Sequence, residues 1–357
     1  MSAAPRGRRR STAAAIAVTA AVTTSAALLL SACGPEDTTD ATDGASPTAT
    51  GPSTTASAST GGAGSGSGKG ASGSGGSPAP VNGTARGGLT ISDGTRYVVM
   101  NGTRVDFGTE VRDLAWSRDG SKAAFVDGDG DLAVSNADGS GRVIAARNPG
   151  GQTWSHPTWL LRADDPANGE PGADRIVFAV RGGGASRLVS VDASARDATP
   201  QPLPLNHASG EDVPDLPQTG NVWPNAGGSH GTSVYANEDT GDVYIRDDYL
   251  RQQGFDLAKG SEPALGPDQG GDNGEIVFVR SVGGHDHLFV EHSGDNGPTY
   301  RDITPNATTD YTEPAWSPEG RTIAARTPRG VVTLTADGSQ PPVLTSGYHG
   351  LPAYRPS

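Results

Sequence analysis

The chain has 357 residues, 27 of them basic and 40 acidic, with a net charge of −13, 52 glycines, 27 prolines and one cysteine. A single cysteine excludes an internal disulfide framework. The acidic surplus argues against nucleic acid as a partner, because phosphate contacts need a basic face, and against direct docking on anionic lipid.

Residues 1–32 read as an export signal. Arg6, Arg8, Arg9 and Arg10 make a basic start, and an apolar run follows from about Ala13 to Leu30. The run closes on Leu30-Ser31-Ala32-Cys33, which resembles the lipobox of bacterial lipoproteins. That resemblance implies that Cys33 is diacylated through its thiol and becomes the first mature residue. The protein is then held by a lipid anchor at the extracytoplasmic face of the cell membrane. The triple arginine leaves the export route open between the general and twin-arginine pathways, since Ser11-Thr12 stands where the latter has an apolar pair. The signal holds four of the basic residues and no acidic ones, so the remainder carries 23 positive and 40 negative residues, a net charge near −17.

Residues 33–85 comprise the anchoring Cys33 and a stretch of Gly, Ser, Thr, Ala and Pro with almost nothing apolar. Such a segment cannot bury enough surface to offset its ordering entropy, and disorder is expected. As a flexible coil it reaches on the order of 40 Å, suited to lifting a domain off a membrane.

Residues 86–357 are long enough for one large domain. No stretch keeps apolar residues at helical spacing for three turns. Instead, short β-branched runs such as "YVVM", "AAFV", "RIVFAV", "DVYIR", "EIVFV" and "VVTLT" alternate with Asp-Gly and Asn-Gly turns. The chain then repeats itself. "DLAWSRDGSKAAFV" (113–126) overlays "EPAWSPEGRTIAAR" (313–326) with a shift of 200, and "NADGS" (136–140) echoes "TADGS" (335–339). Weaker copies place Trp159, Ala226, Leu265 and Tyr354 in the slot of Trp116 and Trp316, at steps of 43, 67, 39, 51 and 38 residues. A period of 40–50 with four strands per unit predicts an all-β propeller.

The line "PAWSPEGRTIAA…LTADGS…VLT" resembles the PD40 repeat of TolB-type propellers, over most of residues 111–357. The resemblance implies a six-bladed β-propeller without an enzyme motif. "LPAYRPS" at the end supplies the first strand of a sixth unit, and "GGLTISDGTRYVVMNGTRVDFG" supplies further strands without a first line. The two fragments are expected to pair and close the ring, removing open sheet edges. Trp116, Trp159, Trp316 and Tyr354 are expected to pack between blades. Trp154 and Trp223 fall outside that register, and one of them is a candidate for ligand contact at a rim.

Three other patterns have simpler readings than the chemistry they suggest. Gly227-Gly228-Ser229-His230-Gly231 fits Gly-x-Ser-x-Gly but lacks the strand–turn–helix setting of a nucleophile elbow, and reads as a turn. Asp127, Asp129 and Asp131 alternate as in a calcium loop, but Leu132 stands where that loop needs Gly. His285-Asp286-His287 places two imidazoles on one strand face; His292, His230 and His156 join them only if the axis gathers them. No catalytic or metal-binding residue and no cofactor is assigned. The expected function is that of a monomeric binding scaffold for an envelope protein or peptide, without catalysis. In TolB-type proteins the rim and channel mouth bind a lipoprotein and peptide segments, but an α/β domain precedes that propeller and a linker stands in its place here. The alternative is a carbohydrate-active, lyase-like or peptide-processing enzyme with a metal on the propeller axis.

Overall fold

The computed structural model describes residues 81–205, 215–249, 254–268, 274–294 and 297–357. The expected signal, Cys33 and nearly all of the tether lie outside them. The described residues form six antiparallel sheets of four strands, without a helix.

Blade 1 holds β1 (Leu89–Ser92), β2 (Tyr97–Met100) and β3 (Thr103–Asp106). Blade 2 is β4 (Arg112–Trp116), β5 (Lys122–Val126), β6 (Leu132–Asn136) and β7 (Val143–Ala146). Blade 3 is β8 (Thr153–Arg162), β9 (Ala173–Gly182), β10 (Ala185–Asp192) and β11 (Gln201–Pro202). Blade 4 is β12 (Asn221–Gly227), β13 (Thr232–Asn237), β14 (Asp242–Arg246) and β15 (Gly254–Lys259). Blade 5 is β16 (Ser261–Leu265), β17 (Ile276–Val282), β18 (His285–Gly294) and β19 (Gly297–Asp302). Blade 6 is β20 (Thr312–Trp316), β21 (Thr322–Thr327), β22 (Gly330–Thr335) and β23 (Val343–Ser346). The last strand, β24 (Leu351–Tyr354), returns to pair with β1 and completes blade 1. The molecule is a six-bladed β-propeller whose ring is closed by the two ends of the fold.

Burial follows radial position. The second strand of each blade is covered on both faces by its neighbours, so β5, β13 and β17 carry near-continuous buried apolar runs rather than alternation. The outermost β19 is exposed almost throughout. Each of the six blade interfaces holds its own apolar cluster. Val98, Phe107, Trp116 and Phe125 join blades 1 and 2. Leu89, Ile91 and Val99 meet Ala324 and Val331 where blade 6 meets blade 1.

The repeated line has one physical cause. Ser117-Arg118-Asp119-Gly120 and Ser317-Pro318-Glu319-Gly320 make the same turn, closed by Gly N–H to Ser C=O bonds of 2.8 and 2.9 Å, with Gly120 and Gly320 at φ 64° and 68°. Left-handed backbone at this place favours glycine. At Gly120 a β-carbon would also lie 2.2 Å from the Pro356 carbonyl.

The slot residues pack between blades as expected. Trp116 Nε1 donates to Thr90 Oγ1 (2.9 Å), Trp159 Nε1 to the Ala115 carbonyl (3.1 Å) and Trp316 Nε1 to the Ala264 carbonyl (3.1 Å). Each indole thus reaches the inner part of the preceding blade. Gly83 N–H donates to the Thr345 carbonyl and Gly347 N–H to the Val81 carbonyl, so residues 81–83 already lie along β23.

Candidate ligand-binding site

The six inner strands β4, β8, β12, β16, β20 and β24 surround a cavity of about 1020 Å³ on the propeller axis. One sequence position supplies a ring of side chains lining it. Counting back three residues from each slot gives Asp113, His156, Trp223, Glu262, Glu313 and Leu351. Five of the six have left-handed backbone, with φ of 54°, 52°, 48°, 49° and 49° from Asp113 to Glu313. Each of these five sits in a register shift between the first and second strand of its blade. A bulge leaves one amide without a ladder partner. Pro157, Pro224, Pro263 and Pro314 follow the bulged residue and have no N–H to leave unpaired. Blade 2 has Leu114 there, and its N–H donates to Ser92 Oγ at 3.4 Å. In blade 1, Leu351 pairs in regular register with Ser92, without a bulge. A non-glycine residue in this conformation costs on the order of 1–3 kcal/mol, so the ring is held by the surrounding contacts.

Bonds between blades hold it. Asp113 Oδ2 accepts the His156 amide (3.1 Å), and Glu262 Oε2 accepts the Glu313 amide (2.5 Å). Thr158 Oγ1 accepts the Ala226 amide and Asn225 Oδ1 the Leu265 amide, both at 2.9 Å. The carboxylates of Asp113 and Glu262 therefore each commit one oxygen to a neighbouring backbone. Glu313 is paired with Arg326 Nη1 at 3.0 Å.

His156 lies among these acids. Its Nδ1 is 3.8 Å from Asp113 Oδ2 and its Nε2 is 3.9 Å from Glu313 Oε1. Both ring nitrogens are buried, and neither makes a hydrogen bond. Trp223 meets the imidazole edge to face at 6.1 Å between centroids. Burial works against the imidazolium, but the Glu313, Asp113 and Glu262 carboxylates outweigh it and raise the His156 pKa. Burial raises the Glu262 pKa, with the Glu313 charge adding to it.

The lining also includes Arg118, Asp119, Lys122, Asp174 and Asp268. Arg118 Nη1 reaches the Gly228 carbonyl at 2.7 Å, and Lys122 Nζ reaches Asn136 Oδ1 at 2.6 Å. Asp119 accepts from Ser117 and Ser121, which lowers its pKa to about 2.

The other candidate residues fall elsewhere. Trp154 is a core residue, 4.9 Å from Phe178, while Trp223 is the one of that pair that lines the axis. The Gly227–Gly231 stretch is the end of β12 and the turn into β13, and the His230 ring lies tilted against Tyr249 with centroids 4.8 Å apart. Asp127 Oδ1 accepts the amides of Asp129 and Asp131, and its Oδ2 pairs with Arg142 at 3.0 Å, as in a structural hairpin. His285 and His287 lie on β18, paired with Asp310 and Asp302 at 3.3 and 2.9 Å, and His292 lies 3.3 Å from Glu275. The axis therefore gathers His156 alone of these histidines. Among the described residues, no group of three or more His, Cys, Asp or Glu is placed to hold a metal ion. The ring position itself was not singled out in the sequence. Its signal was a constant offset of three from the slot, occupied by acids, His and Trp where the rest of the line is regular.

No protein-family model matches the chain, and no curated protein matches it. Solved propellers are similar in structure. One, from a nidogen/laminin complex, is 11% identical with a TM-score of 0.47, over 75% of this chain and 97% of that one. A gluconolactonase from Xanthomonas campestris is 13% identical with a TM-score of 0.43, over 77% of this chain and 85% of that one. The β-propeller domain of Cps50 (Swd1) from Myceliophteria thermophila is 12% identical with a TM-score of 0.39, over 65% of this chain and 85% of that one. At these identities none of them gives this chain a function.

Proposed function

We propose that this chain is a lipid-anchored extracytoplasmic propeller that binds an envelope protein or ligand in its axial cavity and performs no chemistry on it. The observation that carries the reading is the ring: five blades hold a non-glycine residue in strained backbone at one position, and those side chains line a single cavity. Strain of this kind collects at ligand clamps. The lipobox-like Leu30-Ser31-Ala32-Cys33 and the repeat's likeness to TolB-type propellers support the location and the class. Binding is favoured over an axial-metal enzyme by the state of the acids. Asp113 and Glu262 already serve neighbouring amides, and Glu313 serves Arg326.

The site is tested by fractionating envelope extract and measuring which fraction raises the melting temperature of the purified protein. Trp223→Ala removes a ring on the cavity wall and is expected to abolish that increase. An increase that survives the substitution moves the ligand off the axis. The anchor is tested separately. Cys33→Ala is expected to take up no labelled fatty acid and to appear in the medium; a wild-type protein that takes up no label contradicts the anchored reading.

A further inference from the structure

We propose that the ring binds a primary ammonium or guanidinium group of the ligand, and that this group replaces the His156 proton as the counter-charge of Asp113, Glu262 and Glu313. The inference rests on the reading of the axial cavity as the ligand site and names the chemistry that the site selects.

Charge is the first ground. Three carboxylates from blades 2, 5 and 6 face His156, and one guanidinium, Arg326, is paired with them through Glu313. With a neutral imidazole the group carries an uncompensated negative charge. Geometry is the second ground. The His156 nitrogens stand 3.8 and 3.9 Å from Asp113 and Glu313, beyond hydrogen-bond range, and both are buried without a partner. An ammonium carries three donors and no acceptor. Seated beside the ring, it can donate to the carboxylate oxygens of Asp113 and Glu313 that the His156 amide and Arg326 leave free. The indole of Trp223 supplies an aromatic wall of the kind that attracts cations. The lining adds acids at Asp119, Asp174 and Asp268 against Arg118 and Lys122, whose cations are engaged by Gly228 and Asn136. A cleft lined on balance by negative charge raises the local concentration of cations.

The proton balance follows. Below its pKa the imidazolium already neutralises part of the acidic cluster. A second cation then meets like charge, so binding expels the His156 proton to the buffer. Affinity is therefore expected to rise with pH through the imidazole range, by up to about tenfold per pH unit for one coupled proton, and to level off above it. Glu262, whose pKa burial raises, must also be ionised for full binding and acts in the same direction.

The test is calorimetric titration of the full chain at about pH 6 and about pH 8, in two buffers of different protonation enthalpy. The probes are spermidine and an acetylated, amidated Gly-Lys-Gly peptide. Binding with proton release, tighter at the higher pH, is the expected result. The better of the two probes assigns the source as a free polyamine or a basic side chain. His156→Gln is expected to bind with nearly pH-independent affinity, and Glu313→Gln to bind about tenfold more weakly or worse. The imidazole shifts of wild-type His156 give a second readout that needs no variant: added probe should lower its titration midpoint. Equal affinity at both pH values overturns the proton coupling. If an envelope fraction moves the Trp223 resonance but neither cation does, the cation inference falls and the axial site stands. If nothing moves Trp223, both fall.

Discussion

Deleting Leu351–Ser357 is expected to abolish cooperative folding, although it removes only seven residues. β24 is the inner strand of blade 1, paired with β1 from Leu89–Tyr354 to Ser92–Leu351. Thr90 Oγ1 donates to the Ala353 carbonyl, and Arg355 bonds Gly88 and Gly120 while its guanidinium lies 5.3 Å from the Trp116 ring. The cut exposes Leu89 and Ile91 and opens the seam between blades 6 and 1. Each such side chain contributes about 1.5–3 kcal/mol, so these two alone forfeit about 3–6 kcal/mol of the roughly 5–15 kcal/mol that holds a typical domain, before the lost β1–β24 ladder is counted. Removing residues 34–80 is a longer cut and is expected to leave melting unchanged, because a Gly/Ser segment of that composition has no core to lose. Thermal unfolding of both truncations beside the intact protein separates the cases. A harmless seven-residue cut, or a linker cut that destabilises, contradicts ring closure.

Trp316→Ala is expected to cost about 3–5 kcal/mol, the usual range for emptying a buried aromatic site. Trp316 packs with Ala264, Val277, Ile323 and Leu334 across the interface of blades 5 and 6, and its indole bonds the Ala264 carbonyl. Trp316→Phe keeps most of that packing and loses chiefly the hydrogen bond, worth about 1 kcal/mol. Denaturant unfolding should rank wild type, Phe and Ala in that order. Equal stability of the Ala variant would mean that the indole does not hold the blades together, and that its place beside the cavity serves a ligand instead.

The ring was legible in the sequence because its turns are written in residues with few alternatives. Gly120 and Gly320 mark one turn in two blades, and the slot tryptophans mark one packing site in three. Closure was legible because "LPAYRPS" began a unit that the N-terminal strands completed. The binding site was not, because its residues share a position rather than a chemistry. Asp113, His156, Trp223, Glu262 and Glu313 look unrelated until a common bulge turns all five onto one axis. Trp223 was marked as out of register for the same reason: the register that matters for it is the bulge, not the slot. The acids and histidines of blades 2 and 5 drew notice through local spacing, as Asp-x-Asp-x-Asp and His-Asp-His, yet Asp127, His285 and His287 are used by neighbours within their own sheet or the adjoining loop.

The most direct test of an axial ligand site is the indole region of a nitrogen–proton correlation spectrum, where the five tryptophans of the chain each give one signal. Trp223 lines the axial cavity, whereas Trp154 is packed against Phe178 with its N–H donated to Gln152 Oε1 at 2.9 Å. Adding the envelope fraction that the protein retains should shift the Trp223 signal and leave that of Trp154 in place. A retained ligand that leaves Trp223 unmoved would contradict binding on the axis.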